Sequence, residues 1–466
     1  MWRYLSFLLT LALASAQTPA NVEGAKRIFE SWMQAQMAYR GLPGVAIGVV
    51  SGDRLVWSKG FVFADVDART PVTASTKFRM ASHSKLFTST AIMQLRDQGK
   101  VRLDDPVAKY LHWFKVKPAE PDDPPITIEQ LLTHSSGLSR EAGSHWSDYN
   151  FPDQAGVRAY LEQAQAIYPP QVRWKYSNLA LTIAGMVVEA VSGEPYATYV
   201  QRHVFDPLGM TSSSVDKPLA DIAIGYGRRM PDGTRVKMPF VDARAMGAAT
   251  GISSTVEDMA RFVSLQFLKG SPVLSTGALR EMHRVRVMEN DWTRGNAIGF
   301  AVSRTDNRLY VGHGGGYPGH KTQTLIQLDD QVGVIVLSNG DDSNPADIAQ
   351  HLMRIVGTAV AKAGPRSKPT VEVTWDPAWS RFAGLYRSTG GDTAVVEVNR
   401  ALVSFDPTGA NPERQNKLIA IGGGQFRLDA PTGGGPVGEV VRFVEQADGR
   451  MRMHTGGSYS ERVEKY

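Results

Sequence analysis

Two serines and a lysine lie within four positions of one another in the stretch MASHSKLFTS, residues 80–89. Ser84 and Lys85 are neighbours, which point in different directions on a helix, whereas Ser82 and Lys85 are three positions apart and share one face. Ser82 also stands where a helical pattern begins, so a free N–H and the helix dipole favour negative charge there. An amine with a pKa lowered from about 10.4 suits a hydroxyl nucleophile as its base. The stretch therefore predicts Ser82 as a nucleophile and Lys85 as its partner.

A second group of polar residues occurs in WKYSNLAL, where Tyr176 and Asn178 begin a strongly apolar segment. A tyrosine hydroxyl relays protons, and an asparagine amide would hold Lys85 or a substrate amide. The alternative is that Tyr176 is an aromatic at the edge of the core and that Asn178 is a helix cap. Ser-x-x-Lys arises by chance in most long chains, so neither motif is specific by itself.

A third group, VGHGGGYPGH, places His313 ahead of Gly314, Gly315 and Gly316 on a predicted strand. Glycines inside a strand lower its stability and often mark close approach of a ligand. We expect the strand edge to bind an extended substrate, with the N–H of Gly316 as half of an oxyanion hole. The alternative is a flexible hairpin that carries a solvated histidine. His134 is interpreted as structural, because a serine–lysine–tyrosine site needs no histidine base.

Strand patterns open and close the part of the chain that carries these groups. Residues 44–67 hold two β-branched runs around a Ser-Gly-Asp turn, which is the signal of a hairpin, and three strand patterns return between residues 308 and 338. The helical patterns between them run from Ser84 to Gly99, over residues 178–193, which are apolar nearly all round, and through TVEDMARFVSLQFL with Thr255 or Ser254 as its cap. This order predicts an α+β fold with a helical insertion.

The composition changes near residues 364–369, where Gly, Pro, Lys and Ser suggest a linker. Six short strand patterns follow, separated by Gly, Pro, Asp and Asn: FAGLYRS, TAVVEVN, ALVSF, KLIAI, QFRLD and VVRFVEQ. Residues 370–466 are therefore predicted to form a small antiparallel barrel or sandwich.

The bulk composition excludes several classes of function. The 466 residues carry a net charge of +5 without a long basic run, which argues against a nucleic-acid partner. Cysteine is absent from the sequence, so disulfides and thiolate chemistry are excluded. The ten histidines lack ligand spacing, and we predict no metal and no cofactor. Residues 314–319 match G-x-G-x-x-G, but a strand follows instead of a helix, which excludes a dinucleotide site.

The first residues have the pattern of a secretory signal peptide. Arg3 precedes an apolar run from Leu5 to Leu13, and small residues up to Ala16 fit a cleavage site. We predict that residues 1–16 are removed after Ala16, which implies a secreted or periplasmic protein without a stable transmembrane anchor. The alternative is a retained anchor or a buried N-terminal helix.

Together, the three groups resemble the serine beta-lactamase and penicillin-binding-protein superfamily, in particular its class C-like branch with D-aminopeptidases, D,D-peptidases and family VIII esterases. Further stretches resemble it between and beyond them, at LLTHSSGL, FDPLGM, GAATGISSTVEDMARF and VIVLSNG. The resemblance covers roughly residues 25–360, and the tail resembles the lipocalin-like barrel of several members. The matching motif pairs are Ser82/Lys85, Tyr176/Asn178 and His313/Gly315.

The resemblance implies a hydrolase domain over residues 22–363 and a lipocalin-like β-barrel over residues 370–466. It also implies that Ser82 forms an acyl-enzyme, that Lys85 and Tyr176 share the role of base, and that water releases the acid. The N–H groups of Ser82 and Gly316 would hold the oxyanion.

One departure from the family pattern bears on the substrate. The third motif begins with His313 instead of lysine, and a neutral imidazole binds a substrate carboxylate less firmly than an ammonium does. We therefore expect a peptidase or amidase for D-amino-acid peptides with little carboxylate dependence, or an esterase for small esters. The alternatives are a beta-lactamase and a non-catalytic binder that senses cell-wall peptides.

Two expectations concern surfaces around the site. We expect residues 140–156 to line the entrance through which a small-molecule or short-peptide substrate arrives. The barrel is expected to shape the cleft or to form a homo-oligomer interface, and the alternative is that it binds a ligand of its own.

Overall fold

The computed structural model describes residues 20–216, 221–267, 271–305, 308–363, 375–398, 400–408, 416–429 and 436–464. The predicted signal peptide, residues 1–16, and the predicted linker, residues 364–369, lie outside the described residues. The chain divides into two compact units, Met1–Ser367 and Lys368–Tyr466.

The first unit contains helices and strands, and the second contains the strands of a barrel. The helices are α1 (Ala20–Arg40), α2 (Ser84–Asp97), α3 (Ile128–Leu132), α4 (Gln154–Gln163), α5 (Asn178–Ser192), α6 (Tyr196–Val200), α7 (Asp206–Leu208), α8 (Gly247–Thr250), α9 (Val256–Leu265), α10 (Thr276–His283), α11 (Pro345–Leu352) and α12 (Thr358–Ala363). The strands of the first unit are β1 (Gly44–Ser51), β2 (Arg54–Asp65), β3 (Thr70–Pro71), β4 (Phe78–Arg79), β5 (Ser214–Val215), β6 (Ile252–Ser254), β7 (Val287–Met288), β8 (Gly295–Asn296), β9 (Ala301–Thr305), β10 (Arg308–Tyr317), β11 (His320–Gln327) and β12 (Val332–Ser338). The strands of the second unit are β13 (Gly384–Ser388), β14 (Gly391–Glu397), β15 (Leu402–Phe405), β16 (Asn416–Gly422), β17 (Gln425–Asp429), β18 (Val440–Glu445), β19 (Met451–Thr455) and β20 (Ser458–Val463).

Within the described residues, an antiparallel sheet of nine strands has the order β3-β2-β1-β12-β11-β10-β9-β8-β7. Strands from the two ends of this unit meet at its centre, because β1 pairs with β12 from Val45↔Ser338 to Ser51↔Val332. Both strands are apolar on both faces, since α1 and α11 cover one face and α9 packs on the other. The predicted α+β fold with a helical insertion is confirmed.

The local predictions around the sheet agree with the structure, with one difference. The first hairpin turns at Gly52, which has a positive φ of 59°, and the side chain of Thr255 caps α9 by accepting the N–H of Asp258. The difference concerns Ser82, which lies in a 3-10 turn, Ala81–His83, immediately before α2. The tighter turn precedes the helix instead of forming its first α-helical turn.

Helix α5 is buried over most of its length and packs on α2 and α8. A glycine is required where it meets α8, because a Cβ on Gly185 would lie 2.3 Å from the Cβ of Ala248. The N-terminal cap of α5 is Ser177, whose side chain accepts the N–H of Ala180. The interpretation of Asn178 as the cap is therefore wrong, and its amide is free to make other contacts.

The second unit is a closed antiparallel barrel in which β13 to β20 follow one another in order. The six predicted strands are present, and β19 and β20 add two that the sequence analysis missed. Aromatic side chains fill the interior, with the rings of Phe382 and Phe443 stacked at 4.5 Å. The barrel therefore has a hydrophobic core of its own.

None of the helices in the described part of the chain is long and apolar enough to span a membrane.

Candidate active site

The turn that carries Ser82 is held by backbone strain and by close packing. Ala81 has a φ of 51°, which is unusual for a residue with a side chain. The turn is anchored on both sides, because the N–H of Met80 donates to the carbonyl of Ile252 and the hydroxyl of Thr322 donates to the carbonyl of Met80. Ser82 is 9% exposed and lines a cavity.

The structure brings together the first three residues that the sequence predicted. Nζ of Lys85 donates a hydrogen bond of 2.9 Å to Oγ of Ser82. Oη of Tyr176, which is 94 positions away in the sequence, donates a second one of 2.7 Å to the same oxygen. Ser82 therefore has a nitrogen and an oxygen within proton-transfer distance of its hydroxyl.

Lys85 is fully buried, and no carboxylate among the described residues bonds to it. Its amine also donates to the carbonyl of Ala249, at 2.9 Å, and not to Asn178. Burial lowers the pKa of Lys85 well below its ordinary value, the nearby charge of Glu141 opposes this shift, and Arg140 adds to it. The neutral amine, which is the form that accepts a proton, is thus accessible at a pH far below 10.5.

Tyr176 is held by an aromatic neighbour. The ring of His134 lies 4.4 Å from the ring of Tyr176, and Nδ1 of His134 accepts the N–H of Ser177. Burial raises the pKa of the Tyr176 hydroxyl to about 12, so the phenol stays protonated at neutral pH. His134 makes no hydrogen bond to Ser82, and the contacts of its ring are with Tyr176 and the backbone of Ser177.

Asn178 faces a carboxylate that the sequence analysis did not identify. Its Nδ2 donates a hydrogen bond of 2.6 Å to Oε1 of Glu141, and Nε of Arg140 donates to the same oxygen at 3.2 Å. Within the described residues, Oδ1 of Asn178 is buried without a hydrogen-bond partner. The contact between Glu141 and Asn178 spans 37 positions, so no local pattern predicts it. The one signal for Glu141 in the sequence is its place just after the LLTHSSGL stretch.

The glycine-rich strand presents an edge to the cavity. β9 pairs with β10 only from Arg308 to Gly312. From His313 to Tyr317, β10 pairs with β11 on one edge, and no strand in the described structure pairs with its other edge. Gly315 permits contact with the turn that carries Ser82, because a Cβ on Gly315 would lie 2.3 Å from Oγ1 of Thr322 and 2.5 Å from the carbonyl of Met80. The edge and Ser82 line the same cavity, which leaves room for an extended chain between them.

The ring of His313 is neutral in this environment. Burial, with a contribution from the charge of Lys85, lowers its pKa to about 4. Nδ1 lies 2.5 Å from the carbonyl of Gly314, so this nitrogen carries the proton. His313 is therefore no cation at neutral pH.

The cavity above Ser82 has a volume of about 580 Å³. The segment 140–156, which was expected to line the entrance, contributes side chains to it. That segment supplies one cation, Arg140, and two charged groups from outside it, Lys321 and Asp341, also face the cavity and were not predicted. A larger groove of about 1070 Å³ lies between α1, β2 and residues 226–237 and contains none of the predicted site residues. The residues that line the smaller cavity are Ser82, Arg140, Trp146, Tyr149, Tyr176, His313, Gly314, Gly315, Gly316, Tyr317, Pro318, Lys321 and Asp341.

Comparison with known proteins gives a family match over most of the chain. Residues 29–357 match the family model described as Beta-lactamase. Protein flp of Staphylococcus aureus, strain MRSA252, is 25% identical over 317 residues, which are 67% of this chain. The matched region spans 62% of the length of that relative.

Solved structures share the fold. The octameric penicillin-binding protein homologue from Pyrococcus abyssi is 22% identical with a TM-score of 0.65, and the alignment covers 94% of this chain and 100% of that one. A D-stereospecific amidohydrolase from a Streptomyces species is 21% identical with a TM-score of 0.59, over 72% of this chain and 98% of that one. At these identities the likeness shows the fold alone.

Proposed function

The chain belongs to the Beta-lactamase family, and from this premise we propose that it is a serine hydrolase that forms an acyl-enzyme on Ser82. The observation that carries the proposal is the pair of hydrogen bonds from Lys85 and Tyr176 to Oγ of Ser82, at the floor of an open cavity. We propose amides and peptides of D-amino acids as the substrates.

Lys85 is the first base in this mechanism. The neutral amine takes the proton of Ser82 as Oγ attacks the carbonyl carbon. The N–H groups of Ser82 and Gly316 stabilise the oxyanion. Tyr176, which is protonated and lies 2.7 Å from the same oxygen, gives a proton to the leaving group and regains one from Lys85. Water then attacks the ester by the reverse sequence of proton transfers, and the acid leaves.

Two observations favour D-amino-acid amides. A protein of the same fold carries the name of a D-stereospecific amidohydrolase. Asn178 donates to Glu141, and its Oδ1 has no hydrogen-bond partner within the described residues, so we propose that this oxygen accepts the N–H of a substrate amide.

Small esters are a second candidate, because the neutral imidazole of His313 does not require a charged group on the substrate. A beta-lactamase and a non-catalytic sensor of cell-wall peptides remain the alternatives. A protein that only binds cell-wall peptides would not require Lys85 and Tyr176 to be hydrogen-bonded to Ser82.

A panel of four substrates tests the function. It contains a D-alanine anilide, its L-counterpart, a short-chain aryl ester and a chromogenic cephalosporin. We expect the D-anilide to be hydrolysed and the rate to fall at least about a thousandfold in Ser82→Ala. The control is Ser75→Ala, which removes an exposed serine hydroxyl outside the cavity. A wild-type protein as inert as Ser82→Ala on all four compounds would favour the sensor.

We also propose that the protein is secreted or periplasmic and assembles into a homo-oligomer. The proposal of secretion rests on the N-terminal sequence, and mass spectrometry of the protein from a secreting host should find Gln17 at the N-terminus.

The proposal of a homo-oligomer rests on the octameric homologue that aligns with 94% of this chain. Light scattering that gives the mass of a single chain would contradict it.

A further inference from the structure

His134 lies beside the proposed proton donor, Tyr176, without bonding to the nucleophile. The centres of the two rings are 4.4 Å apart, and the ring planes are inclined by 33°. Nδ1 of His134 accepts the N–H of Ser177, the residue after Tyr176, at 3.2 Å. One side chain therefore contacts both the ring of Tyr176 and the main chain that carries it.

The imidazole of His134 is neutral and has one tautomer. Because Nδ1 accepts a hydrogen bond, the ring proton is on Nε2. Burial lowers the pKa of His134 well below its ordinary value, and the charge of Lys85 adds to this shift. A protonated ring would lose the acceptor on Nδ1, so the neutral form is the one that holds the N–H of Ser177.

The backbone holds His134 in a conformation that few residues with side chains adopt. Its φ is 58°, in the left-handed region where histidine and asparagine are enriched among residues other than glycine. The carbonyl of His134 accepts the N–H of Lys175 at 2.7 Å, and the carbonyl of Ser135 accepts the N–H of Gln171 at 2.8 Å. These two bonds join His134 to the segment that leads to Tyr176 and fix the imidazole against the phenol.

The direction of the Tyr176 hydroxyl depends on packing. In the described structure, Oη makes one hydrogen bond, to Oγ of Ser82, and one bond alone leaves the phenol ring free to tilt. A catalytic group that is misplaced by about 1 Å can lose about 10² in rate. Among the aromatic rings that the structure describes, that of His134 is the closest to the phenol, since the ring of Trp174 lies 6.3 Å away.

We propose that His134 is a positioning residue that directs the hydroxyl of Tyr176 toward Ser82 and the leaving group. It is neither a base nor a nucleophile. The inference rests on the proposed function, in which Tyr176 gives its proton to the leaving group. The amine of an anilide needs that proton in order to leave, whereas 4-nitrophenolate leaves without it. Loss of the His134 ring should therefore slow hydrolysis of an anilide much more than hydrolysis of a nitrophenyl ester.

The test compares kcat/KM for D-alanine anilide and D-alanine 4-nitrophenyl ester, which share one acyl group. His134→Asn removes the ring, suits the positive φ and keeps an acceptor for the N–H of Ser177. We expect kcat/KM to fall at least about tenfold for the anilide and to stay within about threefold for the ester. Added to Tyr176→Phe, the same change should have no further effect on the anilide beyond about twofold. The matched control is His283→Asn, a partly buried histidine outside the cavity whose ring lies 5.1 Å from that of Phe300.

A second variant guards against a folding defect, which urea unfolding would reveal. His134→Phe keeps a ring and removes the acceptor, and it should show the same dependence on the leaving group with a smaller loss. Equal losses for the two substrates, or a full further loss in the double variant with Tyr176→Phe, would overturn the proposal. The proposed function is judged separately, on wild type and Ser82→Ala. Anilide hydrolysis that requires Ser82 but is unchanged by both substitutions of His134 would keep the function and remove the role of His134.

Discussion

Burial assigns different roles to the two groups that contact Ser82. Removal from water disfavours the charged form of any side chain, so it lowers the pKa of Lys85 and raises that of Tyr176. Both groups are then neutral at the same pH. A neutral amine accepts a proton and a neutral phenol donates one, which is the pair that acylation requires.

The pH profile of kcat/KM should report on Lys85. We expect the rate to rise with pH as the ammonium loses its proton, at a pH well below 10.5. Tyr176→Phe should lower kcat by about 10² or more without moving this ascending limb, because the limb belongs to Lys85. His313, with a pKa of about 4, should add no limb between pH 5 and pH 8. A limb that disappears in Tyr176→Phe would assign the base to Tyr176.

Two neighbouring charges should move the same limb in opposite directions. Glu141 raises the pKa of Lys85 and Arg140 lowers it. Glu141→Gln, which keeps an acceptor for Asn178, should therefore shift the limb to lower pH. Arg140→Gln, the matched variant, should shift it to higher pH. Profiles that shift in the same direction, or that do not shift, would contradict this electrostatic account.

At the scale of elements, the contact between the turn that carries Ser82 and the strands β10 and β11 fixes the geometry of the site. His83 ties the turn to β11, with Nδ1 2.9 Å from the hydroxyl of Thr322 and Nε2 3.1 Å from that of Thr324. Gly315 lets β10 approach the same turn. The distance between Ser82 and the N–H of Gly316, the proposed oxyanion donor, therefore depends on how closely two distant segments pack.

Gly315→Ala should separate these elements. The new Cβ would lie 2.5 Å from the carbonyl of Met80, which is backbone and cannot move aside easily. We expect a loss of about 1–3 kcal/mol in urea unfolding and a decrease in kcat larger than the change in KM. The control is Gly24→Ala in α1, where nothing lies within 4 Å of the new Cβ and a small gain in stability is expected. Full activity in Gly315→Ala would show that the contact is dispensable.

The sequence predicted what local spacing encodes. Ser82 and Lys85 are three positions apart, and Tyr176 lies two residues before α5, whose apolar pattern is plain. Lys321 and Glu141 were missed because their positions depend on strand register and on a contact between a loop and the start of α5. The carbonyl of Ala249 was missed for the same reason, since a backbone acceptor 164 positions away leaves no mark in the side-chain pattern.

In the barrel, too, contacts that are distant in sequence determine structure that the local pattern did not predict. β19 and β20, Met451–Thr455 and Ser458–Val463, alternate weakly and are rich in polar residues. Their pairing with each other and with neighbouring strands closes the barrel. Closure satisfies the backbone groups of edge strands, so these two segments are stable as strands without a strong apolar pattern.

At the scale of the whole molecule, histidines buried in the first unit make folding sensitive to acid. Burial lowers the pKa of His83 to about 3, that of His313 to about 4 and that of His320 to about 3. Each must stay neutral in the folded state, whereas in the unfolded chain each binds a proton near pH 6.5. Their contribution to stability is therefore complete above pH 6.5 and is lost as the pH falls toward 4.

Unfolding in urea between pH 7.5 and pH 4.5 should reveal this loss. Each histidine contributes a slope of up to about 1.4 kcal/mol per pH unit below pH 6.5. Asp216, whose pKa burial raises to about 6, acts in the opposite sense, because its neutral form is favoured in the folded state. We expect a net fall in stability toward acid. His320→Gln should reduce the dependence of the unfolding free energy on pH. An unfolding free energy that increases toward acid would contradict the prediction.

Mass spectrometry after an acid quench tests most directly whether Ser82 becomes acylated, as we propose. The protein is mixed for a short time with an aryl ester of N-acetyl-D-alanine, quenched, digested and mapped. We expect one acyl adduct, on the peptide that contains Ser82, and no adduct in Ser82→Ala. An adduct on another residue, or turnover of the ester by Ser82→Ala at the wild-type rate, would contradict it.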